Sequence, residues 1–129
     1  MRCYCSICRK TAGGGGFSIN LSGDATTHQV EGGDSVSVYQ AVEGGSERHF
    51  CKQCGSALWA WDTRWPELIH AYASAIDTPL PKPPEVAHIM LTSAASWVEA
   101  PSGPTDIHFT EYPDASIADW HEARGLTTE

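Results

Sequence analysis

The sequence predicts a small, mainly β protein with a single hydrophobic core. Twelve glycines and eight prolines among 129 residues imply many turns, which suits a β-rich or loop-rich chain. Several short runs alternate apolar and polar residues, the pattern of half-buried strands. Hydrophobic residues make up 41% of the chain, which is typical of globular proteins, and the length allows one core rather than two. We therefore expect one domain over residues 1–129.

The individual strands are predicted from these runs in chain order. They cover residues 17–21, 35–42, 57–61, 68–74 and 86–91, and residues 97–99 are expected to continue the sheet. Turns are predicted at the glycine pairs 32–33 and 44–45, and the proline-rich segment 79–84 is expected to be extended.

A helix is predicted at the C-terminus alone. Asp114 or Ser116 would cap it, Ile117, Trp120 and Arg124 would share one side, and Gly125 would end it.

Charge and hydropathy exclude two classes of partner. The formal net charge is −8, and the chain has no basic stripe that could neutralise phosphates, so nucleic acid is not an expected partner. No apolar run approaches the roughly 20 residues that a membrane span needs, and the first residues lack the apolar stretch of a secretion signal. The sequence therefore predicts a cytoplasmic protein, in which thiols stay reduced.

The five cysteines fall into two clusters with the spacing of metal ligands. Cys3, Cys5 and Cys8 form a C-x-C-x-x-C block, and Cys51 and Cys54 form a C-x-x-C pair followed by Gly55. A two-residue gap lets both sulfurs of a pair face one metal, and the glycine supplies the backbone freedom of the tight turn. The second pair is expected at the tip of a hairpin. Zinc is the predicted metal, since a redox pair would be expected within a βαβ pattern.

The spacing allows two arrangements. Cys5 and Cys8 with Cys51 and Cys54 would make one closed four-cysteine site, which leaves Cys3 over. Alternatively, Cys3, Cys5 and Cys8 would form a three-thiolate site with one open coordination position, which is the mark of a reactive zinc.

The segments around the cysteines resemble a known family. Residues 3–10, Cys-Tyr-Cys-Ser-Ile-Cys-Arg-Lys, are similar to the C-x-C-S-x-C-R-K block of the glutathione-dependent formaldehyde-activating (GFA) family, which includes centromere protein V. Residues 50–56, with the F-C-x-x-C-G sequence, resemble its second cysteine block. Weaker similarities lie at residues 87–89, 96–98 and 117–126.

The resemblance implies a fold, a metal content and an activity. The fold would be stacked antiparallel sheets (a β-tent) with zinc knuckles and a short C-terminal helix. Cys3, Cys5 and Cys8 would hold a catalytic zinc, and Cys51 and Cys54 would hold half of a structural zinc. The activity would be that of a carbon–sulfur lyase that joins glutathione and formaldehyde as S-hydroxymethylglutathione.

The family's upstream G-x-C-x-C-G strand, which supplies the other half of the structural site, does not precede Cys3 in this sequence. We expect either a shortened form or a misassigned start. If the two clusters combined into one closed four-cysteine site, the zinc would only stabilise the fold, and the protein would be a non-catalytic binding module.

Other residues are weaker candidates. Arg9 and Lys10 flank the first cysteine block and could hold a glutathione carboxylate, or they could be solvated surface charges. His49 could support the metal site, although a solvent-facing strand histidine is the simpler interpretation. His88 lies in an apolar strand and is interpreted as a core histidine with its hydrogen bonds satisfied. The expected ligands are a small-molecule thiol and an aldehyde.

Overall fold

The computed structural model describes residues 1–127, and strands dominate that range. The strands are β1 (Arg2–Cys3), β2 (Ser18–Asp24), β3 (Val36–Gln40), β4 (Glu47–Cys51), β5 (Ala57–Trp61), β6 (Leu68–Tyr72), β7 (Val86–Ile89) and β8 (Asp106–His108). The α-helices within it are α1 (Ser6–Ala12) and α2 (Ile117–Glu122). The mainly β fold is therefore confirmed.

The strands form one eight-stranded sheet in the order β3-β4-β5-β6-β2-β1-β7-β8. Pairing is antiparallel from β3 through to β1, as predicted. At the other end β1 pairs with β7, and β7 with β8, in parallel. Parallel pairing needs long connections: residues 4–85, which include β2 to β6, join β1 to β7, and the loop of residues 90–105 joins β7 to β8.

The parallel pairing at this end of the sheet differs from the antiparallel sheets that the resemblance implies. Two local features also differ from the sequence-based prediction. Residues 97–99 do not continue the sheet: they lie in the loop between β7 and β8, and Trp97 is 68% exposed. The expectation of a helix at the C-terminus alone is also wrong, because α1 begins directly after Cys5. Helix α1 was missed because its seven residues, dominated by a cysteine motif, show too little apolar periodicity.

The predicted C-terminal helix and the hairpin are both present. Ser116 caps α2, since its Oγ accepts a hydrogen bond from the Asp119 N–H at 3.1 Å. Strands β4 and β5 form a hairpin with Cys51 at the end of β4 and Cys54 in the turn. Gly55 in that turn has φ +78°, a left-handed conformation that favours glycine.

The most buried part of the molecule surrounds the first cysteine block. Cys3, Cys8 and Ile89 pack together, with partly buried apolar side chains such as Met90 and Phe109 around them. Strand β1 lies between β2 and β7, so Cys3 is held by Ser18 on one side and Ile89 on the other. The sheet thus places the cysteine block inside the core rather than on a loop tip.

Candidate metal centre

The sulfurs of Cys3, Cys5 and Cys8 come together where β1 passes into α1. All three Sγ atoms lie within 4.8 Å of one another. Cys5 is the N-cap of α1, and its Sγ accepts a hydrogen bond from the Cys8 N–H at 3.3 Å. Cys3 and Cys8 are buried, with 6% and 3% exposure, whereas Cys5 is only partly buried. A ligand can therefore approach the cluster from the side of Cys5 with the least rearrangement.

Polar side chains from the sheet surround Cys8. Arg48 Nη1 lies 3.5 Å from the Cys8 Sγ and also donates to the Tyr72 hydroxyl at 2.9 Å. Asn20 Nδ2 points at the same sulfur from 3.9 Å. Asn20 and Tyr72 are direct partners across β2 and β6, so both side chains stand on the sheet face that carries α1. These contacts stabilise a negative charge on Cys8.

The hydrogen bonds within the cluster shift the pKa values of Cys3 and Cys8 in opposite directions. Hydrogen bonds from Cys3 and Cys5, together with the charge of Arg48, hold the pKa of Cys8 far below its ordinary value. The pKa of Cys3 is raised, chiefly by its hydrogen bonds to Cys5 and Cys8. Burial lowers the pKa of Arg48, but the nearby Cys8 and Tyr72 outweigh that effect and raise it. The cluster thus favours a thiolate paired with a guanidinium.

The donor set and its spacing fit a zinc ion. Sulfur lies about 2.3 Å from zinc, so two sulfurs on one tetrahedral zinc are about 3.8 Å apart. The three Sγ atoms fall within 4.8 Å, so small side-chain adjustments would bring them onto one ion. Three thiolates are soft ligands that select zinc over magnesium or calcium, and they leave a fourth position for another ligand.

Cys51 and Cys54 lie apart from this cluster. Within residues 1–127, a group of three or more possible metal ligands is formed by Cys3, Cys5 and Cys8. Neither Cys51 nor Cys54 belongs to that group, so the four-cysteine arrangement is not formed. Cys54 is exposed, and its Sγ lies 3.1 Å from the Ser56 Oγ. That hydrogen bond lowers the pKa of the Cys54 thiol. The pair borders an open cavity of about 580 Å³, which also contacts the end of α1 at Thr11 and Ala12.

The other candidates named from the sequence are distributed as follows. His49 is not at the cluster: it stacks on Trp59 with ring centroids 4.6 Å apart and lies 3.1 Å from a Glu47 carboxylate oxygen. His88 is fully buried with both ring nitrogens hydrogen-bonded, which confirms the core interpretation. Arg9 and Lys10 lie in the last turn of α1, and their role toward a carboxylate stays a prediction.

Arg48, Tyr72 and Asn20 are the site residues that the sequence did not indicate. Each lies in a strand with no recognisable motif. Asn20 and Arg48 are 12 and 40 positions from Cys8, and Tyr72 is 24 positions from Arg48, which it contacts. Strand alternation identifies which residues share a face, but only the sheet order shows which faces meet the cysteine block.

Comparisons with known proteins indicate the family and the fold of this chain. Residues 1–93 match the family model described as glutathione-dependent formaldehyde-activating enzyme. A protein of Halomonas elongata, named as a candidate glutathione-dependent formaldehyde-activating enzyme, is 59% identical over 129 residues, which span 97% of this chain and 82% of that protein. A crystal structure of a Rhodobacter sphaeroides protein superposes with a TM-score of 0.50 at 23% identity, over 62% of this chain and 70% of that one, and supports the fold alone. No helix in residues 1–127 is long and apolar enough to cross a membrane.

Proposed function

Because the chain belongs to the glutathione-dependent formaldehyde-activating enzyme family, we propose that it is a zinc-dependent carbon–sulfur lyase. It would form or cleave a glutathione–aldehyde adduct such as S-hydroxymethylglutathione. The observation that carries the proposal is the convergence of three cysteine sulfurs within 4.8 Å, beside a guanidinium and with one sulfur only partly buried. Cys3, Cys5 and Cys8 are the proposed ligands.

Three thiolates supply a site with room for one more sulfur. Zinc held there would keep a bound glutathione sulfur deprotonated at neutral pH, and the thiolate is the nucleophilic form of a thiol. The glutathione sulfur, having lost its proton to water, attacks the carbonyl carbon of the aldehyde. The carbon–sulfur bond forms as the π bond of the carbonyl breaks, and the carbonyl oxygen takes up a proton from water, so no net proton is consumed. The reverse sequence releases the aldehyde, which is the lyase direction.

The chain's own residues would prepare this step in two ways. Arg48 places a positive charge beside Cys8, so it offsets the negative charge that accumulates when a fourth thiolate joins the cluster. Asn20 donates toward the same sulfur and limits the directions in which Cys8 can point. Burial of Cys3 and Cys8 keeps water away from two of the three sulfurs.

The alternative is a non-catalytic binding module in which zinc in one closed four-cysteine site only stabilises the fold. It has less support, because Cys51 and Cys54 do not join Cys5 and Cys8 among the described residues. Cys51 and Cys54 are proposed to bind metal separately, as the family resemblance implies.

The proposal is tested by the rate at which glutathione and ¹³C-formaldehyde interconvert with their adduct, followed by exchange NMR. The wild-type protein is expected to raise the rate above the spontaneous reaction, and Cys8→Ser is expected to remove the increase. Lys52→Ser is the control, since Lys52 is exposed and belongs to neither group of cysteines. Equal rates with and without wild-type, zinc-loaded protein would refute the proposed activity.

A further inference from the structure

A chain of three polar side chains, two of them buried and Asp106 partly buried, adjoins the cysteine cluster and has no part in the proposed reaction. The Tyr4 hydroxyl lies 2.8 Å from His88 Nδ1, and His88 Nε2 lies 2.7 Å from Asp106 Oδ1. Tyr4 is 1% exposed and His88 is 0% exposed. The three residues come from the β1–α1 connection, β7 and β8, so the parallel end of the sheet assembles them.

The direction of each hydrogen bond follows from the groups involved. An ionised Asp106 carboxylate can only accept, so His88 donates through Nε2–H. In this tautomer Nδ1 is the acceptor, and the Tyr4 hydroxyl donates to it. The second Asp106 oxygen accepts from the Gly103 N–H at 2.9 Å, which holds the carboxylate in place.

Tyr4 stands between two of the three clustered cysteines. Neighbouring side chains in an extended segment point to opposite sides, so a Tyr4 ring held on one side directs Cys3 and Cys5 to the other. The Tyr4 backbone N–H also donates to the Ile89 carbonyl at 3.1 Å. The hydroxyl therefore adds a second anchor, at the far end of the side chain.

Apolar side chains could fill this part of the core without the cost of burying polar groups. A buried hydroxyl or imidazole without a partner is destabilising, so a polar chain is favourable only with every member bonded. Full pairing gives one allowed orientation of Tyr4, whereas an apolar ring could shift within its pocket.

We propose that His88 and Asp106 are positioning residues for the metal centre and act through the Tyr4 hydroxyl, which holds Cys3 and Cys5 in ligand geometry. This inference rests on the metal binding proposed above. It predicts that loss of the hydroxyl weakens metal binding and alters the ligand field, even where the fold is retained.

The test uses Co²⁺ as the probe and Cys54→Ser as the common background, in which Cys51 is left without its partner thiol. Tyr4→Phe deletes the hydroxyl and keeps the ring. Asp106→Ala removes the acceptor for His88, whereas Asp106→Asn keeps one acceptor oxygen and serves as the conservative control. Metal affinity is measured by competition with a chromophoric chelator, the cobalt–thiolate spectrum is recorded, and the melting temperature of the metal-free protein reports the fold.

Tyr4→Phe and Asp106→Ala are expected to weaken Co²⁺ and Zn²⁺ binding about tenfold, the low end of the range for groups that hold metal ligands in place. The cobalt spectrum should change in both, and Asp106→Asn should fall between Asp106→Ala and the background protein, since its one acceptor oxygen can bond His88 but not Gly103 as well. An unchanged affinity and spectrum in Tyr4→Phe would overturn the inference, whatever the melting temperature. If Asp106→Ala does not fold, Tyr4→Phe decides alone.

The proposed function and this inference fail in different ways. If the background protein gives no cobalt–thiolate band, or if Cys8→Ser keeps the band unchanged, the metal centre itself is refuted and the inference with it. If the cobalt–thiolate band is present and depends on Cys8, but the spectrum and the metal affinity are unchanged by Tyr4→Phe, the inference alone is refuted.

Discussion

Arg48 Nη1 lies 3.5 Å from Cys8 Sγ, and this contact joins residues that are 40 positions apart in the sequence. It is the direct charge contact between the sheet and the cysteine block. The same nitrogen donates to the Tyr72 hydroxyl, which fixes the guanidinium against β6. The contact places a positive charge where the proposed reaction accumulates negative charge.

Arg48→Gln is therefore expected to raise the KM for glutathione about tenfold. A charge-assisted hydrogen bond contributes about 1.5–3 kcal/mol, and about 1.4 kcal/mol corresponds to a factor of ten. Arg48→Lys keeps the charge but not the two-partner geometry, so its KM should fall between those of Arg48→Gln and wild type. The check is steady-state kinetics at saturating formaldehyde. A KM that is the same in all three proteins would show that the charge of Arg48 does not assist thiol binding.

Gly16 is expected to be intolerant of a side chain. Its φ is +94°, and a Cβ there would overlap Val98 Cγ2 and approach the Trp97 ring to 3.3 Å. Gly16→Ala should lower the free energy of unfolding by about 2 kcal/mol, through backbone strain and the overlap together. Gly14→Ala is the control in the same run, since a Cβ there meets nothing within 4 Å. Urea unfolding measures both, and equal stabilities would contradict the packing of the 97–98 loop against this glycine.

Asp62 is expected to contribute to acid sensitivity. It is buried and accepts hydrogen bonds from the Arg64 side chain and N–H and from the Ser46 hydroxyl. The hydrogen bonds from Arg64, with that from Ser46, outweigh burial and hold the pKa of Asp62 well below its usual range. This stabilisation is complete above the pKa of an unfolded aspartate, about 4, and is lost as the pH falls from there through the folded pKa.

Asp62→Asn should therefore be less stable than wild type by about 2 kcal/mol at pH 7, since the charged acceptor is lost. The difference should shrink as the pH falls below about 4, where the wild type progressively loses the contribution that the variant lacks. Asp34→Asn, at an exposed turn, is the control. Urea unfolding at several pH values provides the measurement, and a difference that stays constant across this range would refute the role of the Asp62 charge.

Much of the fold followed from local sequence patterns. Alternation identified β2, β3, β5 and β6 to within a few residues, and Ser116 marked the start of α2. Strands β1 and β8 have two and three residues, too few for any alternation to be recognised. Trp97 was misassigned because a single apolar pair resembles a strand, whereas its ring instead lies near Gly16 and stays largely exposed.

The cysteine cluster followed from spacing, but its surroundings did not. Cys3, Cys5 and Cys8 are close in sequence, so local geometry alone brings them together. The separation of Cys51 and Cys54 from this block could not be predicted from spacing, because it depends on how the strands are arranged. Arg48 contacts Cys8 from a strand 40 positions further along the chain. Asp106 is linked to Tyr4 only through His88 on the neighbouring strand. No short motif carries that information.

The coordination of zinc in the Cys54→Ser protein tests the central claim most directly, because that variant leaves Cys3, Cys5 and Cys8 as the clustered sulfurs. X-ray absorption at the zinc edge counts the sulfurs at about 2.3 Å. The account predicts three sulfurs and a lighter atom without glutathione, and four sulfurs when glutathione is added. Four sulfurs before addition, or a count that glutathione leaves unchanged, would contradict an open three-cysteine site that acts on a thiol.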